Sequence, residues 1–138
     1  MKDWISKMPI VQKLVVIFKY ILSLRGYNSN FTGGIGSYCL FVMIAAYMKE
    51  FCHEEDPSLS KYFRDILEWY GEKFDNLNHI VMLKHEGHCF VDEHQMNGEY
   101  DDSKKSLLKL VDPITGRLMN SSCLEYNNIR IEFKRILG

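Results

Sequence analysis

The 138 residues make a chain the size of one domain, long enough to bury a core. Apolar residues make up 46% and charged residues 25%, ordinary globular proportions that exclude disorder; no apolar run reaches the roughly 18 residues of a membrane helix. A formal net charge of -1 excludes binding a polyanion by overall charge, so such a partner would need a local basic patch.

Residues Asp3 to Met8 read as a short helical turn, after which Pro9 opens a longer helix, proline being tolerated at the first helical position. Ile10, Leu14, Ile17, Phe18, Ile21 and Leu22 recur at helical spacing and form its apolar face, with Lys13 and Lys19 pointing elsewhere. Gly26 ends this helix, and Arg25 in its last turn suits the dipole. Residues 27–36 are a polar, glycine-rich connection, and Ser37 is the expected N-cap of a second helix running through Tyr47 to about His53. That helix is apolar almost all round, which predicts a place at the centre of a bundle. Asp56-Pro57-Ser58 starts a third helix with Leu59, Tyr62, Phe63, Ile66, Leu67 and Tyr70 on one face, and Gly71 lies near its end.

The pattern then changes. Ile80 to Leu83 and Cys89 to Val91 are short apolar runs about Glu86-Gly87 and predict a β-hairpin. Residues 92–105 are polar and mostly acidic, a surface loop; Ser106 to Val111 then returns as a strand leading into Asp112-Pro113. Asn127 or Asn128 is the expected cap of a final helix with Ile129, Phe133, Ile136 and Leu137 on one side. The expected fold is mainly α with a small antiparallel β element. Cys39, Cys52, Cys89 and Cys123 are scattered with no CxxC pair, and Cys39 and Cys52 read as buried free thiols. Together with the lack of a signal peptide, this leads to the expectation of a reducing intracellular compartment, nuclear or cytoplasmic, with no membrane.

The strongest chemical signal is the turn Thr32-Gly33-Gly34-Ile35-Gly36-Ser37-Tyr38 at the entrance to the second helix. Glycines let a ligand approach the main chain closely, and a helix N-terminus offers free N–H groups and a positive dipole end. The turn lacks the Gly-Lys-Ser/Thr ending of a P-loop. On these residues alone it is either a structural tight turn or a phosphate site.

The run from Phe18-Lys19-Tyr20 through Arg25-Gly26 and Asn28 to Thr32-Gly33-Gly34 and Ser37-Tyr38, followed much later by Leu110-Val111-Asp112-Pro113, Asn120 and Tyr126, resembles one nucleotidyltransferase family over essentially the whole chain. The family comprises the non-canonical poly(A) polymerases and terminal uridylyltransferases, the DNA polymerase sigma-like enzymes. The resemblance implies a helical bundle like the central domain of poly(A) polymerases, with Lys19 and Ser37 contacting the triphosphate of ATP (or UTP). It implies further that Tyr38 stacks on the base, and that Asp112 and Asn120 lie in the loop that reads the base edge. These residue types suit those roles: a cation and a hydroxyl for phosphate, a phenol ring for a base face, and directional hydrogen bonds for discrimination.

Three positions depart from the family pattern. A second lysine one turn after the first is Ser23 here, the arginine after the recognition asparagine is replaced by Cys123, and the histidine that uridylyltransferases carry before that asparagine is Met119. The last of these favours ATP over UTP. The larger departure is the lack of the Gly-Ser turn and Asp-x-Asp pair with which the family's catalytic domain holds its metals. Asp101-Asp102 lies in a polar loop without that partner. The expectation is therefore a single central, PAP-associated domain over residues 1–138. A separate catalytic domain would supply Mg2+ and act on an RNA 3′ end, with an RNA-binding accessory protein as a further partner; this chain alone would not catalyse. The alternative is a non-catalytic nucleotide-, RNA- or protein-binding module derived from the same family.

Two other groupings have plainer readings. His85, His88, Cys89 and His94 are possible zinc ligands, but their spacing matches no zinc-finger pattern, and hairpin histidines are the expected reading. Tyr62, Phe63, Trp69 and Tyr70 fall at core spacing, and Lys104, Lys105 and Lys109 read as a solvated basic edge.

Overall fold

The computed structural model describes residues 8–26, 36–54, 57–74, 79–84, 87–92, 109–116 and 126–138. Four α-helices are described, α1 (Met8–Ser23), α2 (Ser37–Phe51), α3 (Leu59–Glu68) and α4 (Tyr126–Leu137). A π-helical turn, Trp69–Lys73, continues α3, and strands β1 (His79–Met82), β2 (Phe90–Asp92) and β3 (Leu110–Val111) lie between it and α4.

On α1 the periodicity holds: Val11, Leu14, Phe18 and Leu22 are buried, whereas Lys13 and Lys19 are exposed. Gly26 takes a φ of 75°, a left-handed conformation that costs glycine little, and the chain leaves the helix there. Arg25 does more than meet the dipole, because its Nε lies 3.5 Å from the Glu132 carboxylate of α4. Helix α2 is the buried centre that its composition predicts, with every residue from Val42 to Met48 inside. It packs against α1, β1 and β3. Its N-cap, however, is Gly36 in an extended conformation with no side-chain cap, and Ser37 is the first helical residue.

At α3 the Ser58 hydroxyl accepts from the Lys61 N–H, a cap worth about 1 kcal/mol. The apolar stripe puts Tyr62, Ile66 and Leu67 inward. The π-helical turn has no counterpart in the sequence expectations. It is closed by Phe74 N–H donating to the Trp69 carbonyl at 2.7 Å, and its carbonyls are met by α4. Tyr126 Oη donates to the Tyr70 carbonyl at 2.6 Å, and Arg130 Nε donates to the Gly71 carbonyl at 3.3 Å. Tyr70 Oη in turn donates to the Met43 carbonyl of α2 at 2.6 Å. Two buried phenols thus link α4, the π turn and α2. Helix α4 begins at Tyr126, so Asn127 and Asn128 lie inside it and do not cap it.

Strands β1 and β2 form the expected antiparallel hairpin, with Ile80 opposite Val91. The third strand differs from a purely antiparallel element. β3 runs parallel to β1, Val81 opposite Leu110, so the sheet is mixed in the order β2-β1-β3. Parallel neighbours need a connection of about a dozen residues or more, and the stretch from Met82 to Leu110, which carries β2, is long enough. Lys109 is buried beside β3, with its carbonyl accepting from Val81 N–H at 2.9 Å, so it is no solvated basic edge. Cys39, Cys52 and Cys89 are buried free thiols. No helix among the described residues is long and apolar enough to cross a membrane.

The phenol relay can be tested directly. Tyr126→Phe strips the Tyr70 carbonyl of its buried donor and should cost about 1–2 kcal/mol in urea unfolding. Tyr20→Phe, at an exposed ring, should stay within about 0.5 kcal/mol of the parent.

Candidate nucleotide-binding site

Tyr38 occupies the second position of α2, and Asp112 follows β3 directly. Although 74 positions apart, they meet: Tyr38 Oη donates to Asp112 Oδ1 at 2.8 Å. The same carboxylate oxygen accepts from the Ile114 N–H at 2.9 Å, and the Gly116 N–H donates to the Asp112 carbonyl at 2.7 Å. Asp112-Pro113-Ile114-Thr115 is therefore a side-chain-stapled turn, closed by Gly116 at a φ of 73°. The turn is anchored below by the pairing of β3 with β1, and α2 is anchored by the core, so both partners rest on rigid elements.

Tyr38 remains 42% exposed, a ring presented on the surface at a helix entrance. Desolvation and the neighbouring Asp112 carboxylate push its phenol up to about 12. The Asp112 carboxyl is held below the usual range, first by the Ile114 N–H and then by the Tyr38 hydroxyl. At neutral pH the pair is a phenol donating to a carboxylate, a charge-assisted hydrogen bond.

The other residues expected at this site stand as follows. Ser37 is exposed at the first position of α2, beside Tyr38. Lys19 is exposed on α1, which packs against α2. Asn120 and the Thr32-Gly33-Gly34-Ile35 turn lie outside the described residues, as do Asp101, Asp102, Lys104, Lys105, Met119 and Cys123. The structure therefore brings Ser37, Tyr38 and Asp112 to one place, with Lys19 on the adjoining helix.

A cleft elsewhere in the domain escaped the sequence reading. A cleft of about 340 Å³ is lined by Glu50, Phe51, Trp69, Lys73, Phe74, His79, His88 and Phe90, and shares no residue with the Tyr38–Asp112 pair. Its aromatic wall holds Phe51 and Trp69 with ring centroids 4.8 Å apart, and Trp69 and Phe90 at 5.0 Å. Helical spacing made Trp69 look like core; the cleft arises because α2, the π turn and β2 each add a ring to it. At its rim Glu50 accepts from the Cys89 N–H at 2.8 Å and lies 3.0 Å from His88 Nδ1. Burial alone would raise the Glu50 carboxyl, but these partners outweigh it and hold it below the usual carboxylate range. His88 thus meets the Glu50 carboxylate through a ring nitrogen. His85 and His94 lie outside the described residues, among which no three His, Cys, Asp or Glu side chains gather as a metal site.

A pH titration followed by the Tyr38 ring carbon should show its phenol ionising near 12 rather than 10. Because folding raises this value, the stabilisation it brings is intact below pH 10 and lost as pH climbs from about 10 to about 12. In Asp112→Asn the midpoint should fall back toward 10; a midpoint unmoved by the substitution would show that Asp112 does not hold the phenol.

No family model matches the chain. Among curated proteins it is 28% identical over 120 residues to the inactive non-canonical poly(A) RNA polymerase protein Trf4-2 of Drosophila melanogaster, covering 83% of this chain and 30% of that protein. It is 24% identical over 117 residues to the poly(A) RNA polymerase cid14 of Schizosaccharomyces pombe, covering 80% of this chain and 17% of that one. The chain thus spans less than a third of the length of either relative. Among solved structures, the polymerase core of TRAMP, an RNA surveillance complex, superposes with a TM-score of 0.81 over 99% of this chain and 44% of its own, at 17% identity. That likeness establishes a shared fold. In sequence, then, the chain is similar over most of its length to the Trf4/Cid14 non-canonical poly(A) polymerases.

Proposed function

We propose that this chain is the nucleotide-recognising central domain of a template-independent RNA nucleotidyltransferase, one that holds ATP (or UTP) for addition to RNA 3′ ends. The observation that carries this reading is the Tyr38–Asp112 hydrogen bond. It joins the two sequence motifs that resemble the family's phosphate-side and base-side segments. The Tyr38 ring offers a base face, Ser37 and Lys19 serve the phosphates, and the loop from Asp112 to Asn120 borders the base edge. The metal-holding carboxylates and the transfer step belong to a separate catalytic domain in this reading, with an RNA-binding accessory protein as a further partner. An intracellular location, nuclear or cytoplasmic, goes with it.

A second reading draws on a specific observation: a relative that aligns over 83% of this chain is described as inactive. In that case the chain is a non-catalytic module that keeps nucleotide, RNA or protein contacts.

Both readings meet the same experiment. The chain should bind ATP at millimolar concentration by NMR titration. Tyr38→Ala should weaken binding about tenfold, in keeping with roughly 1–3 kcal/mol for ring–base stacking, and Lys19→Ala should weaken it too. Unchanged affinity in both variants overturns the assigned roles. Joined to a catalytic domain of a poly(A) polymerase relative, the chain should support RNA tailing. Nucleotide binding without tailing selects the second reading.

A further inference from the structure

We infer that Asp112 is a positioning residue of the nucleotide site, acting through the Tyr38 ring by holding its hydroxyl, and that it does not itself read the base. The inference rests on the nucleotide reading above and sharpens it.

An ionised carboxylate accepts along about four lone-pair directions and donates none. Asp112 already accepts from two donors of this chain, the Tyr38 hydroxyl and the Ile114 N–H. The Tyr38 and Ile114 bonds both fall on Oδ1, at 2.8 and 2.9 Å. A base amine approaching that oxygen would have to displace one of them, giving up a bond to gain a bond, because both lone-pair directions of Oδ1 are taken by this chain.

What the bond achieves is control of an exposed ring. Tyr38 stands at the first turn of α2 with 42% of its surface exposed, so neighbouring side chains do not fully fix its plane. Tethering the phenol at its tip fixes both side-chain torsions, because the ring is then held at its root by a buried helix and at its end by a stapled turn. Stacking needs a ring already in plane, and ordering it beforehand removes a cost from binding. Asp112 therefore contributes to affinity for any base, and selectivity among bases falls to other groups of the loop.

The experiment measures ATP and UTP affinities of the full 138-residue chain by NMR titration, beside Tyr38→Phe, Asp112→Ala, Asp112→Asn and the double variant Tyr38→Phe/Asp112→Ala. Each single loss of the tether should weaken ATP binding about 5-fold, and the double variant should again lose about 5-fold rather than the product. The ratio of ATP to UTP affinity should stay at the parent value throughout. Asp112→Asn, whose amide oxygen still accepts, should keep most of the affinity. A changed ATP-to-UTP ratio on Asp112 substitution, with the ratio intact in Tyr38→Phe, overturns the inference and makes Asp112 a base reader. Losses that multiply in the double variant overturn it as well. Should Asp112→Ala fail to fold, Tyr38→Phe decides, and an unchanged affinity there overturns the tether. A parent chain that binds neither nucleotide at millimolar concentration overturns the nucleotide reading itself, and this role with it.

Discussion

Burial of α2 is the constraint on which the other features depend. A helix apolar on nearly every side cannot lie on a surface, so its neighbours must cover it: α1 along one side, β1 and β3 along another, and the π turn through the Tyr70–Met43 bond. The gain from such burial is of order 25 cal/mol per Å² of apolar surface, which makes α2 the element least free to move. Its two ends inherit that rigidity. The first turn presents Tyr38, and the last presents Glu50 and Phe51 to the aromatic cleft. The Tyr38–Asp112 pair and the aromatic cleft thus lie at opposite ends of the buried helix.

The π turn shows how a locally weak conformation persists. A π turn disturbs the regular helical hydrogen-bond ladder, and buried carbonyls without donors would cost about 1–3 kcal/mol each. Here α4 supplies the donors, Tyr126 to the Tyr70 carbonyl and Arg130 to the Gly71 carbonyl. Gly71 lets the two elements approach: a Cβ there would sit 3.2 Å from the Phe133 Cβ, closer than side chains normally pack. The turn also places Trp69 with Phe51 and Phe90 at the cleft, with its indole N–H buried and without a hydrogen-bond partner among the described residues.

What the sequence made legible follows from which forces are local. Period-3.6 apolar spacing located α1, α2 and α3, since each buries a stripe or a whole surface that residues three and four apart must share. Asp56-Pro57-Ser58 marked the start of α3 locally, and Ser58 proves to be its cap. Ser37 is not the cap of α2, because Gly36 already takes the extended backbone that a cap requires, which shifts the helix start by one residue. The parallel pairing of β3 and the π turn depend on partners far along the chain, and nothing in Leu110-Val111 or in Trp69-Tyr70-Gly71 announces them. At the site, local chemistry gave no more than an anion-friendly helix entrance. Tyr38 and Asp112 became candidates through resemblance, because no spacing rule connects residues 74 apart.

Their meeting nonetheless has a local cause on each side. Asp112 leaves β3 at the point where the parallel pairing with β1 ends, and the bond from Ile114 N–H turns its carboxylate back over the turn instead of outward. Tyr38 leaves Gly36 in the first turn of a helix whose axis is fixed by seven consecutive buried residues, Val42 to Met48. Neither side chain has to search for the other, so little ordering entropy opposes the bond, and an exposed phenol–carboxylate contact that would be marginal between mobile loops becomes a fixed feature. The exposed face of the Tyr38 ring is then part of the scaffold. Such a surface can take a planar ligand without first having to be organised.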